Sequence, residues 1–331
     1  PFAIRVLKAL FLVKYVKEFK ATLRNLCVLM LDDFTKDLPK LRRNVEEALN
    51  LLEQQTYIQR NGEQYEYLTD EEKDVEEEVK NTEVESTDVA NELEKIVFDH
   101  VIKNRKIRFD DNDQDYSYTR KLDDRLHGRE NELAINVITP FHENAESLDV
   151  LRGQTMARPE LMVIMPPDDR LMRDITLYKQ TEKYIRQNIS FTQQESVKRI
   201  LESKGFQNRE RYAEIQQRVQ RLLGKANMLV AGGDVEISGE DAQSRITRGF
   251  HELIHRTYPN LSMLRGITFT ENDVSKYLEH SQEGLFGNDA TSLAESEQEL
   301  LAFVQSNNRG GVRTTLKTLI EKFERKPYGW Y

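Results

Sequence analysis

The stretch TYIQRNGEQYEYLT, residues 56–69, consists of two short alternating runs joined by Asn61-Gly62, the dipeptide that a two-residue type I′ hairpin favours. Outward from it, toward the start of the chain, apolar residues recur at helical spacing over roughly 3–18, 21–34 and 39–53. Three helices followed by a hairpin is the order of a winged helix, so this fold is expected over residues 1–80.

The helix nearest the hairpin, LPKLRRNVEEALNLLEQQ, has Pro39 in its first turn, where a missing N–H costs nothing. Leu41, Val45, Ala48, Leu49 and Leu52 form its apolar stripe. Lys36, Lys40, Arg42 and Arg43 gather at its start, and Arg60 lies on the wing. Such a helix suits the phosphates of a DNA groove, with Lys40, Arg42, Arg43 and Arg60 as the candidate contacts. The acids Glu46, Glu47 and Glu53 on the same helix suit a second reading, in which the domain only packs against its neighbours.

Beyond the hairpin the chain reads as α+β, predominantly helical and multidomain. An acidic helix ending near Asn81 leads into a connecting helix and linker over 81–104. KIRFDD, YSYTRKL, ELAINVITP and ELMVIMPPDD read as strands of a small α/β domain over 105–170. Residues 171–290 read as a helical domain with a β-hairpin across Gly232-Gly233, and 291–331 as the start of a further small helical domain.

The 331 residues hold 48 Lys or Arg against 57 Asp or Glu, a net charge of −9. Residues 70–95 alone carry twelve acids and three lysines, so the rest of the chain is balanced and basic patches elsewhere are compatible with the acidic total. The apolar stretch AIRVLKALFLVKYV is broken by Arg5, Lys8 and Lys14, so neither a membrane span nor a signal peptide is expected. Cys27 is the one cysteine, which excludes a disulfide framework and fits a cytoplasmic setting. Both ends, Pro1-Phe2 and ERKPYGWY, read as cuts within a longer protein.

RGFHELIH, residues 248–255, contains His-Glu-x-x-His, the spacing by which one helix offers two imidazoles to zinc and a carboxylate to water. A metal-dependent hydrolase using His251, Glu252 and His255 is therefore an alternative function. Against it, the apolar stripe Ile246, Phe250, Leu253, Ile254 and Thr257 leaves both histidines on a solvated flank, and Pro259 ends the helix at once. Glu271 and Glu279 could supply a third ligand, but nothing in the sequence singles them out. No metal is expected, and no residue carries a catalytic signature.

Gly224-Lys225 is followed by Ala226 where a phosphate-cradling loop has Ser or Thr, so no cofactor is expected in this chain. DDNDQDYSY imitates a calcium loop, but Tyr116 stands where a glycine is needed and Leu122 where a glutamate belongs.

Several long blocks resemble one family. RNGEQYEYLTDEEKDVEEEVKNTEV, LYKQTEKYIRQNIS, QQESVKRILESKGFQNRERY, LFGNDATSLAE and RTTLKTLIEKFERKPYGWY are similar to the part following the ATPase core in BrxC/PglY-type P-loop proteins of BREX bacteriophage-exclusion systems. The resemblance implies a large cytoplasmic parent with an AAA-type core that binds ATP and Mg²⁺. It implies partners among the other BREX components, including a methyltransferase and a phosphatase-like protein, in phage defence. Residues 1–80 would then be the winged helix trailing that core, and the remainder domains for assembly or contact with double-stranded DNA. On this reading the fragment is non-catalytic, and a second copy of the chain is a further candidate partner, forming a homo-oligomer.

Overall fold

The structure is a computed structural model that describes residues 2–16, 18–33, 37–190, 194–264, 270, 272 and 293–330. It begins with α1 (Phe2–Val13), α2 (Leu23–Leu29), α3 (Leu38–Gln54), β1 (Ile58–Asn61) and β2 (Gln64–Tyr67). Then come α4 (Asp70–Asn81), α5 (Ser86–Lys95), a π-helical turn (Ile96–Ile102), β3 (Lys106–Phe109), β4 (Gln114–Leu122), β5 (Arg125–His127) and β6 (Leu133–Ile138). They are followed by α6 (Leu148–Thr155), β7 (Glu160–Ile164), α7 (Asp169–Asn188), α8 (Glu195–Gly224), β8 (Asn227–Val230), β9 (Gly233–Asp234) and α9 (Ala242–Thr257). A 3₁₀ turn (Pro259–Leu264) precedes α10 (Glu295–Arg309) and α11 (Leu316–Phe323). The chain forms two compact units, Pro1–Ile96 with Asp168–Val219, and Val97–Pro167 with Gln220–Tyr331.

In the first unit, Val6 and Leu10 of α1, Leu26 of α2 and Val45 and Leu49 of α3 close over Ile58 to make one core. Asp37 caps α3 by accepting from the Lys40 amide, and Pro39 occupies the first turn. The β1–β2 pair is in register Ile58↔Tyr67 to Asn61↔Gln64. The loop is therefore Gly62-Glu63, one residue later than Asn61-Gly62 predicts. Only the first central residue, Gly62, has positive φ (57°), which is the pattern of a type II′ rather than a type I′ turn. The positive φ is what favours glycine there, since a Cβ would meet only the movable carboxylate end of Glu214 on α8. The outer edge of β2 continues into residues 21–22, through Tyr65 N to the Ala21 carbonyl (2.9 Å) and a bridge between Thr22 and Gln64.

A reciprocal capping box of Thr69 and Glu72 starts α4. Lys14 then ties the same carboxylate to the end of α1, while also donating to the Tyr67 carbonyl at 2.7 Å. Val75 and Val79 of α4 pack on Tyr184 of α7 and Leu201 of α8. Between them lies a buried ion pair, Lys204 on α8 with Glu76 on α4, to which Gln59 of β1 adds an amide oxygen.

In the second unit one mixed sheet runs β3-β4-β6-β7-β8-β9, with β5 paired to β4 off that path. β4 serves two short antiparallel neighbours, β3 along residues 114–117 and β5 along 120–122, and pairs in parallel with β6 over Tyr118–Leu122. β6 and β7 are parallel and every residue of both is buried, as expected of strands covered on both faces. The hairpin expected in a separate helical domain joins this sheet instead, β8 lying antiparallel to β7. Its turn is Ala231-Gly232, again displaced by one residue from the predicted pair. Both residues have positive φ (48° and 76°), the type I′ pattern. α9 packs closely on the sheet because Gly249 brings its backbone over Leu161 and Met228.

No helix among the described residues is long and apolar enough to cross a membrane.

Candidate nucleic-acid interface

Lys40, Arg42 and Arg43 are exposed in the first turns of α3. None of the three side chains makes a hydrogen bond or ion pair to another described residue. Arg42 is still felt inside the fold: burial pushes the Cys27 thiol up, and Arg42 opposes that shift. Arg60, grouped with them in the sequence, is committed elsewhere. Its Nε donates to the Gly62 carbonyl at 2.9 Å, its guanidinium lies 3.5 Å from Glu63 Oε1, and it covers the Tyr65 ring. Arg60 holds the hairpin turn, so among the candidate contacts only Lys40, Arg42 and Arg43 are without a partner among the described residues. Glu46 and Glu47 are exposed further along the same helix. Lys36 lies outside the described residues.

The histidine helix is placed differently from its predicted solvated flank. The apolar stripe is as read, with Ile246, Phe250, Leu253, Ile254 and Thr257 buried along α9. His255 is exposed, but the His251 side chain is only 14% exposed and meets the β3–β4 turn. His251 Nε2 is 2.8 Å from the Arg108 carbonyl. That oxygen only accepts, so the nitrogen carries a proton and offers no lone pair to a metal. Both imidazoles pack edge-on against Phe109, with centroids 5.2 and 4.9 Å away. His255 Nε2 lies 3.3 Å from Asp111 Oδ2, and Glu252 is engaged by Arg256 at 2.7 Å. The acids of the supposed calcium loop thus face the supposed zinc ligands, and together they dock a helix on a turn. Among the described residues no three His, Cys, Asp or Glu side chains form a group that could hold a metal. Glu271 and Glu279 lie outside the described residues.

Sequence reasoning missed a polar cluster at the C-terminal ends of the parallel strands β4 and β6, where α/β sheets commonly present ligand sites. Asp123 accepts from the Thr139 amide and hydroxyl, both at 2.8 Å. Asn136 Nδ2 donates to Asp124 Oδ1 at 2.7 Å. His142 Nδ1 accepts from the Asn144 amide, which leaves its Nε2–H to face Asp124 Oδ2 at 3.2 Å. Each of these groups satisfies another, so the cluster fastens the β4–β5 turn to the end of β6. The Asp-Asp pair at positive φ (48° and 65°) was the available signal.

Burial pushes the Asp123 carboxyl above its ordinary value, and the two Thr139 bonds only partly offset this. Because the folded form holds its proton more tightly than the unfolded one, ionised Asp123 detracts from stability above its folded pKa. That penalty disappears as the pH falls through this range. Asp123→Asn is therefore expected to be neutral or stabilising at pH 7, within about 1 kcal/mol, with the gain shrinking toward acid pH. Urea unfolding at several pH values measures it, and a variant that gains stability toward acid contradicts the assignment.

The C-terminal segment docks on the same unit. Tyr116 donates to the Gly329 carbonyl at 2.9 Å, Trp330 stacks on Phe323 at 4.8 Å, and Trp330 Nε1 donates to the Asn260 carbonyl at 3.2 Å.

Residues 82–253 match the family described as BREX ATP-binding protein BrxC 4th domain with six-stranded beta sheet. This span contains every strand of the second unit among the described residues, and the six on its main path agree with that description. Residues 260–331 match the BREX ATP-binding protein BrxC winged helix-turn-helix domain. The winged helix of the family thus covers the further small helical domain read at 291–331 together with the last part of the domain read at 171–290, while residues 1–80 lie outside both matches. No solved structure matches the chain. With more than half of its length inside the first of these matches, the chain belongs to the BrxC family of BREX ATP-binding proteins.

Proposed function

We propose that this part of a BrxC protein is non-catalytic, serves in assembly with other BREX components in phage defence, and contacts double-stranded DNA through the start of α3. The observation that carries the DNA reading is the set Lys40, Arg42 and Arg43, exposed and without ion pairs to described residues. They sit on the helix that precedes a two-stranded wing, and in this position cations meet phosphates. We read residues 1–80 as a winged helix on that account, with Arg60 shaping the wing. Exposed Ile4, Phe11, Leu12 and Tyr15 in and just after α1 support the assembly role, since large apolar side chains gathered on one element mark a surface that a partner covers. ATP and Mg²⁺ belong, on this reading, to a nucleotide-binding core of the parent protein in the cytoplasm, and self-association is one form the assembly takes.

Fluorescence anisotropy with a labelled duplex tests the DNA contact. Arg42→Ala with Arg43→Ala is expected to weaken binding uniformly across sequences and to reduce the slope of log K against log salt by about 2. An unchanged slope removes α3 from the interface.

A further inference from the structure

Acidic residues occur about once in six along this chain, yet residues 300–320, from the second turn of α10 into α11, contain none. The same stretch carries Arg309, Arg313 and Lys317, all exposed, and is rich in Asn, Ser and Thr. Arg309 and Arg313 make no side-chain hydrogen bond or ion pair to a described residue. Lys317 has one partner, Glu321, at 3.8 Å on the exposed surface, an interaction that solvent and salt weaken. Uncompensated guanidinium groups among amide and hydroxyl side chains are the chemistry of phosphate contact.

The geometry agrees. α10 and α11 are joined by a short turn through Gly310-Gly311, and a Cβ built on Gly311 meets nothing within 4 Å, so the turn is open to a bulky ligand. Thr315 caps α11 by accepting from the Thr318 amide. With eight residues α11 is about 12 Å long, comparable to the width of a DNA major groove. Leu316 and Ile320 stand exposed on it, apolar side chains of the kind that pack against thymine methyl groups.

We propose that the α10–α11 turn is a second, separate contact with double-stranded DNA, in which Arg309, Arg313 and Lys317 hold phosphates and α11 faces the groove. It shares its ligand with the α3 reading but none of its residues, so either can fail alone.

The test uses the whole chain and compares the wild type, the α3 double variant, the triple variant Arg309→Ala, Arg313→Ala and Lys317→Ala, and the two sets of substitutions combined. The probes are a labelled duplex, the single strand of the same sequence, and polyglutamate as a competitor. Trp330 is the only tryptophan and stacks on Phe323, the last residue of α11, so unchanged tryptophan emission certifies that the altered region is folded. The triple variant is expected to bind duplex at least about tenfold more weakly at low salt, with a slope reduced by two to three. It should lose affinity whether or not α3 is intact. Wild-type affinity in the folded triple variant overturns the proposal. Equal or tighter binding to the single strand overturns the duplex assignment, and competition by polyglutamate as strong as by DNA assigns the patch to an acidic protein surface instead. Absence of duplex binding by the wild type overturns both this contact and the one on α3.

Discussion

Replacing Lys204 by alanine is expected to cost about 3–5 kcal/mol, the largest single-residue effect in the first unit. Lys204 and Glu76 are both almost fully buried, joining α8 to α4, and the ammonium also takes the Gln59 oxygen on β1. Deleting the ammonium leaves a carboxylate in an apolar interior with no counter-charge, which is worse than deleting both partners. Lys204→Met combined with Glu76→Leu should therefore recover most of the loss, since apolar side chains of similar volume replace buried pairs at little cost. Against a typical total of about 5–15 kcal/mol, the single change shifts the urea midpoint of this unit substantially. A loss below about 1 kcal/mol would show that water reaches the pair.

Arg245→Ala is the second large effect, expected at about 2–4 kcal/mol and confined at first to the second unit. The guanidinium on α9 donates to the carbonyls of Ala226 (2.9 Å), Ile237 (3.2 Å), Leu223 (3.5 Å) and Gly224. These include the last carbonyls of α8, which have no partner within their own helix. Burial pushes the Arg245 pKa down and Arg248 adds to the effect, yet a guanidinium remains charged at neutral pH. Lysine cannot fan its protons over four acceptors, so Arg245→Lys should recover little of the loss. Because the chain has two units, one melting temperature is a poor reporter. Hydrogen exchange at the amides of 226–230 is the direct one, and unaltered protection there contradicts the role.

Much of this fold is legible in the pattern of residues. The stripe Leu41, Val45, Ala48, Leu49 and Leu52 is buried as its spacing predicts, and Asp168 caps α7 through the Arg170 and Leu171 amides. Both hairpins exist, but each turn is displaced by one residue, because cross-strand pairing rather than the glycine dipeptide sets the register. α6 and β5 escaped because they are short, eight and three residues, and Ser147 makes no side-chain cap bond. The membership of β8 in the main sheet could not be read locally, since about sixty residues separate it from its partner β7.

The candidate sites divide in the same way. Residue type alone grouped Arg60 with Lys40, Arg42 and Arg43, whereas the hydrogen bond of Arg60 to its own turn depends on the fold. His251 reads as solvent-facing on an isolated helical wheel and is covered only because a turn some 140 residues earlier packs on it. The cluster around Asp123 needs β4 and β6 side by side, which no local spacing announces.

The path of the chain through its two units bears on how the protein can be dissected. The family match begins at residue 82 and ends at 253, inside α9, whereas the packing units change over near residues 96, 168 and 219. A peptide trimmed to the matched span would take α7 and α8 away from α4, where Val75 and Val79 pack on Tyr184 and Leu201, and would sever Lys204 from Glu76 and Gln59. The segment inherited as a module is thus not the segment that folds as one. Nicking between residues 97 and 167 should leave the halves of the first unit non-covalently associated, so protease digestion will under-report its integrity unless the fragments are sized without denaturant.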